Sequence, residues 1–400
     1  MQHEIQYLAS PFILKTKADV SHTTSTEYDK SSLGESLVSI LRQVIKENAQ
    51  EPIGLTLSGG LDSGSIYTTC KDLNFKVKTF THVPKYRPDQ TLTLDRIGDE
   101  RELIKSYKLN DHLAFFLDSR DSHPLDAIDF FVEKKILPVH GMSNMHWMLD
   151  VYKKAQEEKI KTLLVGQVGN FTVSWQGITP DPKGRIKAIY NHLLFNYIAK
   201  KKFLDVSFLD KNKINLAQLE TVNGLNLVNP FSKRLLVQYR RNHLNLMRAI
   251  TQTHYRQIER IFGFKIFDPT ASQEIIKFCL SVNNSQYHNG LENKLLFKNA
   301  FSGKIPDSIL ANTKKGLQSA DLNFLIQERA EETFDVLEDL KRDSLLKNII
   351  DWPSIFQFVK SCEKGDWERF SYSKANSLFK TIAIGKYTRK HGQIQKSDII

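Results

Sequence analysis

The sequence predicts an α/β fold: a parallel twisted sheet flanked by helices, followed by a mainly helical C-terminal half. Three observations carry this. Short apolar runs of strand length alternate with segments of helical periodicity up to roughly residue 185, the pattern of successive βαβ units. The run Ile53–Leu57 stops in Ser58-Gly59-Gly60, as a buried strand meeting a glycine turn does. Beyond residue 185 the strand pattern fades and long amphipathic stretches take over.

Each element follows in order. Residues 1–31 are polar and irregular, and the Ser/Thr-rich tract HTTSTEYDKSS leads into a helix. In that helix Leu37, Ile40, Leu41, Val44 and Ile45 recur at helical spacing. After the first strand and its turn, GSIYTTCKDL reads as a helix and Lys76–Val83 as a second strand. GDERELIKSYK is a helix, His112–Leu117 a third strand, MHWMLDVYKKAQEEK a helix and Lys161–Gly166 a fourth strand. Later, IKAIYNHLLFNYIAKK, LLVQYRRNHLNLMRAITQ and ASQEIIKFCLSV all read as helices. The expected organisation is an irregular segment 1–31, an α/β core 32–185 and a mainly helical region 186–400. No internal repeat or low-complexity tract interrupts it.

A chain of 400 residues exceeds what one hydrophobic core usually organises, so two substructures are expected. With 40% hydrophobic and 25% charged residues it has ordinary globular composition. No apolar run approaches the roughly 20 residues of a membrane-spanning helix. The opening MQHEIQYLAS lacks the basic and apolar regions of a secretory signal. Cys70, Cys279 and Cys362 stand far apart in no metal-ligand spacing, which points to a reducing compartment; cytoplasm is the expectation. The net charge of +11 gathers around Lys200–Lys202 and in Lys233–Arg260, with Arg234, Arg240, Arg241, Arg248, Arg256 and Arg260. These arginines share helical segments with leucines. A solvated helix face is favoured for them, and polyanion binding is the alternative.

The string Ser58-Gly59-Gly60-Leu61-Asp62-Ser63 lies between the first strand and the following helix. Gly59 and Gly60 permit positive φ and close backbone approach, so successive N–H groups can converge on an anion. The helix N-terminus behind them adds its dipole. Ser58 and Ser63 supply hydroxyls, and Asp62 can hold a Mg²⁺ that bridges phosphates. A plain glycine turn with Ser63 as helix cap is the competing reading, and the complete string weighs against it.

SGGLDS resembles the pyrophosphate loop of the N-type ATP pyrophosphatases, whose sheet is of the adenine nucleotide alpha-hydrolase type. Within them it resembles the synthetase domain of glutamine-dependent asparagine synthetase. Thr79-Phe80-Thr81 falls on the next strand, where that family reads adenine through the backbone. Asp99-Glu100 matches its acidic pair, LLVGQVGNFTVSWQG its fourth strand and long loop, and FDPTASQEIIKFCLSV its late helix. KIPDSILANTKKGL is similar to its run of Leu-Pro, apolar residues, a basic residue and Gly. The matches span about residues 30–320.

The resemblance implies that ATP activates a carboxylate as its adenylate, releasing pyrophosphate, and that an amine then displaces AMP to form an amide. Ser58, Gly59, Gly60, Asp62 and Ser63 would hold the pyrophosphate and Mg²⁺, with Leu57, Thr81 and Gly166 near the nucleotide. The cation the family needs falls on Lys314 or Lys315, and spacing to Gly316 favours Lys314. Two features depart from the family. Its glutaminase nucleophile, a cysteine after the initiator methionine, is replaced by Gln2, so nitrogen is expected as free ammonia, another amine, or from a separate glutaminase subunit, unless the chain is a truncated product of a longer gene. The glutamate and metal-binding aspartate of the fourth-strand loop fall on Gln167 and Asn170. A glutamine cannot accept a proton, and an asparagine oxygen can ligate Mg²⁺ only without formal charge.

The substrate is therefore left as a small-molecule or peptide carboxylate, aspartate or a relative. Three rivals stay open: an intramolecular amide-former of the β-lactam synthetase or lasso-peptide cyclase type, a tRNA-modifying relative, and a non-catalytic nucleotide-binding subunit. No paired cysteines or RNA module support nucleic acid as a partner. A membrane is not expected; a homo-oligomer is open. Asp268, Gln318 and Asp321, beside apolar helices, are either caps or substrate contacts.

Overall fold

The computed structural model describes residues 32–87, 93–136, 141–177, 207–210, 233–343 and 346–392. The expectations for residues 1–31, for Lys200–Lys202 and for the helix over 186–201 lie outside the described residues. In chain order the elements are α1 (Leu33–Asn48), β1 (Ile53–Thr56), α2 (Leu61–Asp72), β2 (Val77–His82), β3 (Arg96–Ile97), α3 (Arg101–Lys105) and β4 (Ala114–Leu117). Then come α4 (Pro124–Glu133), α5 (Met145–Glu157), β5 (Thr162–Leu164), α6 (Lys233–Phe262), β6 (Lys265–Phe267), α7 (Gln273–Ser281), α8 (Leu295–Phe301) and α9 (Asp307–Leu310). The chain continues through β7 (Lys315–Gly316), α10 (Leu322–Glu328), α11 (Ala330–Lys341), α12 (Trp352–Glu363) and α13 (Tyr372–His391).

The main sheet has the order β4-β2-β1-β5-β6, and every pairing in it is parallel. Leu55 faces Thr79 on one side and Leu164 on the other. Strand period sorts side chains between two cores: Ile53, Leu55, Leu57 and Leu164 enter one, Phe80 and Leu163 the other. The first core is closed by α1, α2, α7 and α8; the second by α4, α5, the end of α6 and α10–α13. Gly54 is required in β1, because a Cβ there would lie 2.8 Å from the Phe80 ring. Among the described residues no helix is long and apolar enough to cross a membrane.

The sequence reading placed four strands, all in the first half, and each forms within a few residues of its expected limits. The fifth, β6, comes from the helical half and pairs with β5, so residues on both sides of position 185 build one sheet. Its three residues between Gly263 and Asp268-Pro269 are too few to show a period. A second small sheet, β3 with β7, joins Arg96 to Lys315 and Ile97 to Gly316.

The arginine-rich helix α6 is not uniformly a solvated face. Arg240 is buried at 5% exposure: Nε donates to the Phe171 carbonyl at 2.8 Å and Nη1 to the Cys279 carbonyl at 2.9 Å. Its guanidinium stacks 3.7 Å from the Trp175 ring centroid and 5.0 Å from that of Tyr287. A planar fork that satisfies two carbonyls and covers an aromatic face is what arginine offers and what helical spacing alone cannot reveal. The expectation of a solvated face fails at this residue.

Candidate active site

Strand connections run outward from β1 through β2 to β4 on one side and from β5 to β6 on the other. The order therefore reverses between β1 and β5, and ligands in open α/β sheets bind beyond the strand carboxyl ends at that point. The loop after β1 is Ser58–Ser63; the loop after β5 begins at Gly166. They touch. A Cβ on Gly166 would lie 3.2 Å from the Ser63 nitrogen and one on Gly169 only 2.1 Å from Asp62 Cγ. Two glycines thus let the second loop lie directly over the N-terminus of α2.

Neither Gly59 nor Gly60 has positive φ, contrary to expectation; Gly60 is extended at φ −84°. Close approach explains them instead. A Cβ on Gly59 would lie 2.7 Å from Leu103 Cδ1, and one on Gly60 3.1 Å from Ser58 Oγ. The loop is knit by its own side chains. Ser58 N–H donates to Ser63 Oγ at 3.1 Å, Gly60 N–H to Ser58 Oγ at 3.2 Å, and the two hydroxyls are 3.0 Å apart. Glu100, whose acidity burial weakens, lies against the loop: a Cβ on Gly59 would lie 3.2 Å from its Oε1. The first intrahelical bond of α2 is Gly64 N–H to Gly60 O, so the helix's leading N–H groups face the loop mouth.

Asp62, in the first turn of α2, is buried with Oδ1 lacking any hydrogen-bond partner. Burial pushes its carboxyl up to about 7; the Ser174 hydroxyl and Lys294 ammonium oppose that rise, and Asp268 adds to it. Burial in turn pulls Lys294 down, Asp62 pushes it back up, and Lys315 and Lys298 lower it further. Lys294 holds a left-handed backbone at φ +58° ahead of α8. The sequence reading missed it: one lysine before an apolar helix carries no signal until the fold brings it opposite Asp62.

The remaining expected residues fall nearby. Leu57 is buried, its carbonyl accepting from Thr81 Oγ1 at 2.8 Å, so the Thr81 hydroxyl is committed to the strand end. Gln167 and Asn170 are exposed on the second loop. Lys314 is exposed and turned by Asn312, which accepts from its N–H at 3.0 Å and donates to its carbonyl at 3.1 Å. Two residues on, a Cβ on Gly316 would lie 2.4 Å from Glu100 Oε1, so the Lys314–Gly316 segment meets the phosphate loop through one carboxylate. Charge coupling to Lys294 reaches Lys315.

Asp268 is a cap. It accepts from the N–H groups of Gln167 at 2.9 Å, Val168 at 3.0 Å and Thr270 at 2.9 Å, fixing the second loop from below. Asp321 likewise accepts from Lys85 and Tyr86 N–H at 2.7 and 3.0 Å, while Gln318 Oε1 accepts from Asn144 at 3.0 Å.

Among the described residues no three His, Cys, Asp or Glu side chains gather to hold a metal. The unpartnered, buried Asp62 oxygen does fit a divalent ion that takes its other ligands from phosphates and water, the usual arrangement for Mg²⁺.

The family model for asparagine synthase matches residues 39–174, about a third of the chain, from α1 through both facing loops. Over this stretch the chain is similar to that family. No curated protein matches the chain.

Proposed function

We propose that the chain is an ATP-dependent amide-forming synthetase that activates a carboxylate, aspartate or a relative, as its acyl-adenylate. The observation that carries this reading is the pair of loops at the β1–β5 edge, with Asp62 buried between them and Lys294 opposite. A carboxylate oxygen of the acid attacks the α-phosphorus of ATP, the bond to the bridging oxygen breaks, and pyrophosphate leaves. An amine nitrogen then attacks the acyl carbon, AMP departs with its oxygen, and the amine loses a proton.

Ser58, Gly59, Gly60 and Ser63 present the loop and helix donors to the departing pyrophosphate, where preorganised dipoles act on developing charge. Lys294, with Lys314 or Lys315, supplies the cationic side. Asp62 would hold Mg²⁺, which neutralises phosphate charge when bound. Leu57, Thr81 and Gly166 border the nucleotide. Gln167 cannot remove the amine's proton, so the amine enters as its free base; ammonia or an amine of the substrate itself satisfies this. The proposed setting is cytoplasmic, with nitrogen supplied free or by a separate glutaminase subunit.

Exchange of radiolabelled pyrophosphate into ATP, run across a panel of carboxylates, tests the reading. Exchange driven by one acid, aspartate or a peptide carboxylate, is expected. Nucleotide binding without exchange for any acid would make the chain a non-catalytic subunit instead.

A further inference from the structure

The segment that bears Lys314 and Lys315 is fastened unevenly along its length. Its far end is held by side chains from several elements. Asn144 donates to Gln318 Oε1 at 3.0 Å, Ser319 Oγ to the Ser143 carbonyl at 3.2 Å and the Tyr372 hydroxyl to the Ala320 carbonyl, while Asp321 accepts from the Lys85 and Tyr86 N–H groups. Its near end, β7, has backbone bonds to β3 alone: Lys315 N–H to the Asp95 carbonyl at 2.9 Å and Leu317 N–H to the Ile97 carbonyl at 2.8 Å. An isolated pair of such short strands is not stable by itself.

Glu100 supplies the missing fixture. It follows β3 at the start of α3 and is half-buried. The three atoms nearest a Cβ on Gly316 all belong to its carboxyl group, with Oε1 at 2.4 Å, and the same Oε1 would lie 3.2 Å from a Cβ on Gly59. Leu103, one turn further along α3, covers the same glycine of the phosphate loop, its Cδ1 2.7 Å from that Cβ position. The Glu100 carboxyl therefore stands between Gly59 and Gly316, one on each strand-end loop. A carboxylate placed there repels pyrophosphate and cannot bind it. It can set the separation of the phosphate loop from the lysines.

We propose that Glu100 is a positioning residue, whose carboxyl group is the spacer that seats the Lys314 and Lys315 segment on the phosphate loop so that lysine and loop act on the same phosphates. This rests on the nucleotide-activating reading above. The role is one of shape, so it survives loss of the charge but not loss of the side chain. A lysine that answers charge developing as pyrophosphate leaves affects turnover more than ATP binding, and so does its misplacement.

The test is a mutant cycle in the full chain, read by pyrophosphate exchange into ATP with the accepted acid. Glu100→Ala is expected to lower the maximal rate roughly tenfold or more while KM for ATP stays within about threefold. Glu100→Gln, which keeps the shape, recovers most of that rate. In a chain already carrying Lys314→Ala and Lys315→Ala, Glu100→Ala has little further effect, because the residues it acts through are gone. Gly316→Ala, whose methyl meets the carboxyl group, shows the same loss and the same dependence on the lysines; this arm stands even if Glu100→Ala does not fold. Equal losses with and without the lysines, or Glu100→Gln as poor as Glu100→Ala, overturn the assignment and leave the nucleotide reading intact. Deuterium uptake at the Lys315 and Leu317 amides reads the seating without turnover: protection falls in Glu100→Ala and is kept in Glu100→Gln. Unchanged protection in Glu100→Ala also overturns the assignment. If no acid drives pyrophosphate exchange in the wild type, the nucleotide reading fails, and amide protection still decides whether Glu100 seats the segment.

Discussion

Two polar clusters stand on the carboxyl edge of the same sheet; burial pushes the groups of both towards their neutral forms, and only one cluster sets opposite charges against that push. Beyond β1 and β5, burial drives Asp62 up to about 7 and Lys294 down, but each faces the other's opposite charge. Beyond β2 and β4 the buried groups are histidines. His82 stacks on Trp147 at 5.4 Å and meets His146 edge-on at 5.9 Å. His123 pairs through Nε2 with the Leu325 carbonyl at 2.8 Å and accepts from Leu125 N–H at 3.1 Å. Burial holds His82 and His123 at about 4 and His146 well below the usual imidazole range. One cluster retains charges that a phosphate and a cation can take over. The other keeps neutral rings that serve packing. Desolvation alone therefore does not mark a site; desolvation together with a compensating charge at the strand switch point does.

The sharpest way to break the first cluster without touching the second is Gly169→Ala. The new Cβ meets the Asp62 carboxyl, and moving that group by about 1 Å is expected to cost roughly 100-fold in pyrophosphate exchange. Exchange within a few-fold of wild type would show that the two loops need not touch. Arg240→Ala comes next. It leaves the Phe171 and Cys279 carbonyls without their donor and uncovers Trp175, an expected loss of about 2 kcal/mol in denaturant stability. Arg240→Lys should restore little, since an ammonium cannot span both carbonyls and the ring. Unchanged stability in the alanine variant would return α6 to a solvated face.

The smallest effect sharpens the second cluster. His123 is depressed in the folded chain, so on acidification the unfolded chain takes up its proton first. Its share of stability is present above the unfolded value and is lost as pH falls from about 6.5 toward 4. His123→Asn keeps a capping side chain without the titration. Between pH 7 and 5 it should lose about 1–2 kcal/mol less stability than wild type in urea unfolding. Parallel losses would mean the ring is not held neutral by burial.

The first loop was legible because its chemistry is local: two glycines, two hydroxyls and an acid stand within six residues directly after a strand. The strands of the first half were legible for the same reason. What escaped depends on distance along the chain. Lys294 reaches Asp62 across more than 200 residues, and β6 joins β5 across about 100. Arg240 looked like surface charge because helical periodicity records the leucines around it, not the carbonyls its fork reaches. The glycines were placed correctly but for partly the wrong reason, close approach rather than positive φ.

The central claim, that the β1–β5 edge activates a carboxylate through Asp62, is tested most directly by one comparison. Pyrophosphate exchange into ATP is measured with the accepted acid for wild type and for Asp62→Asn, with circular dichroism showing that both are folded. A fall of at least about 100-fold in Asp62→Asn is predicted, since the variant removes the buried carboxylate that lies against the second loop. Exchange at the wild-type rate in the folded variant would contradict the account.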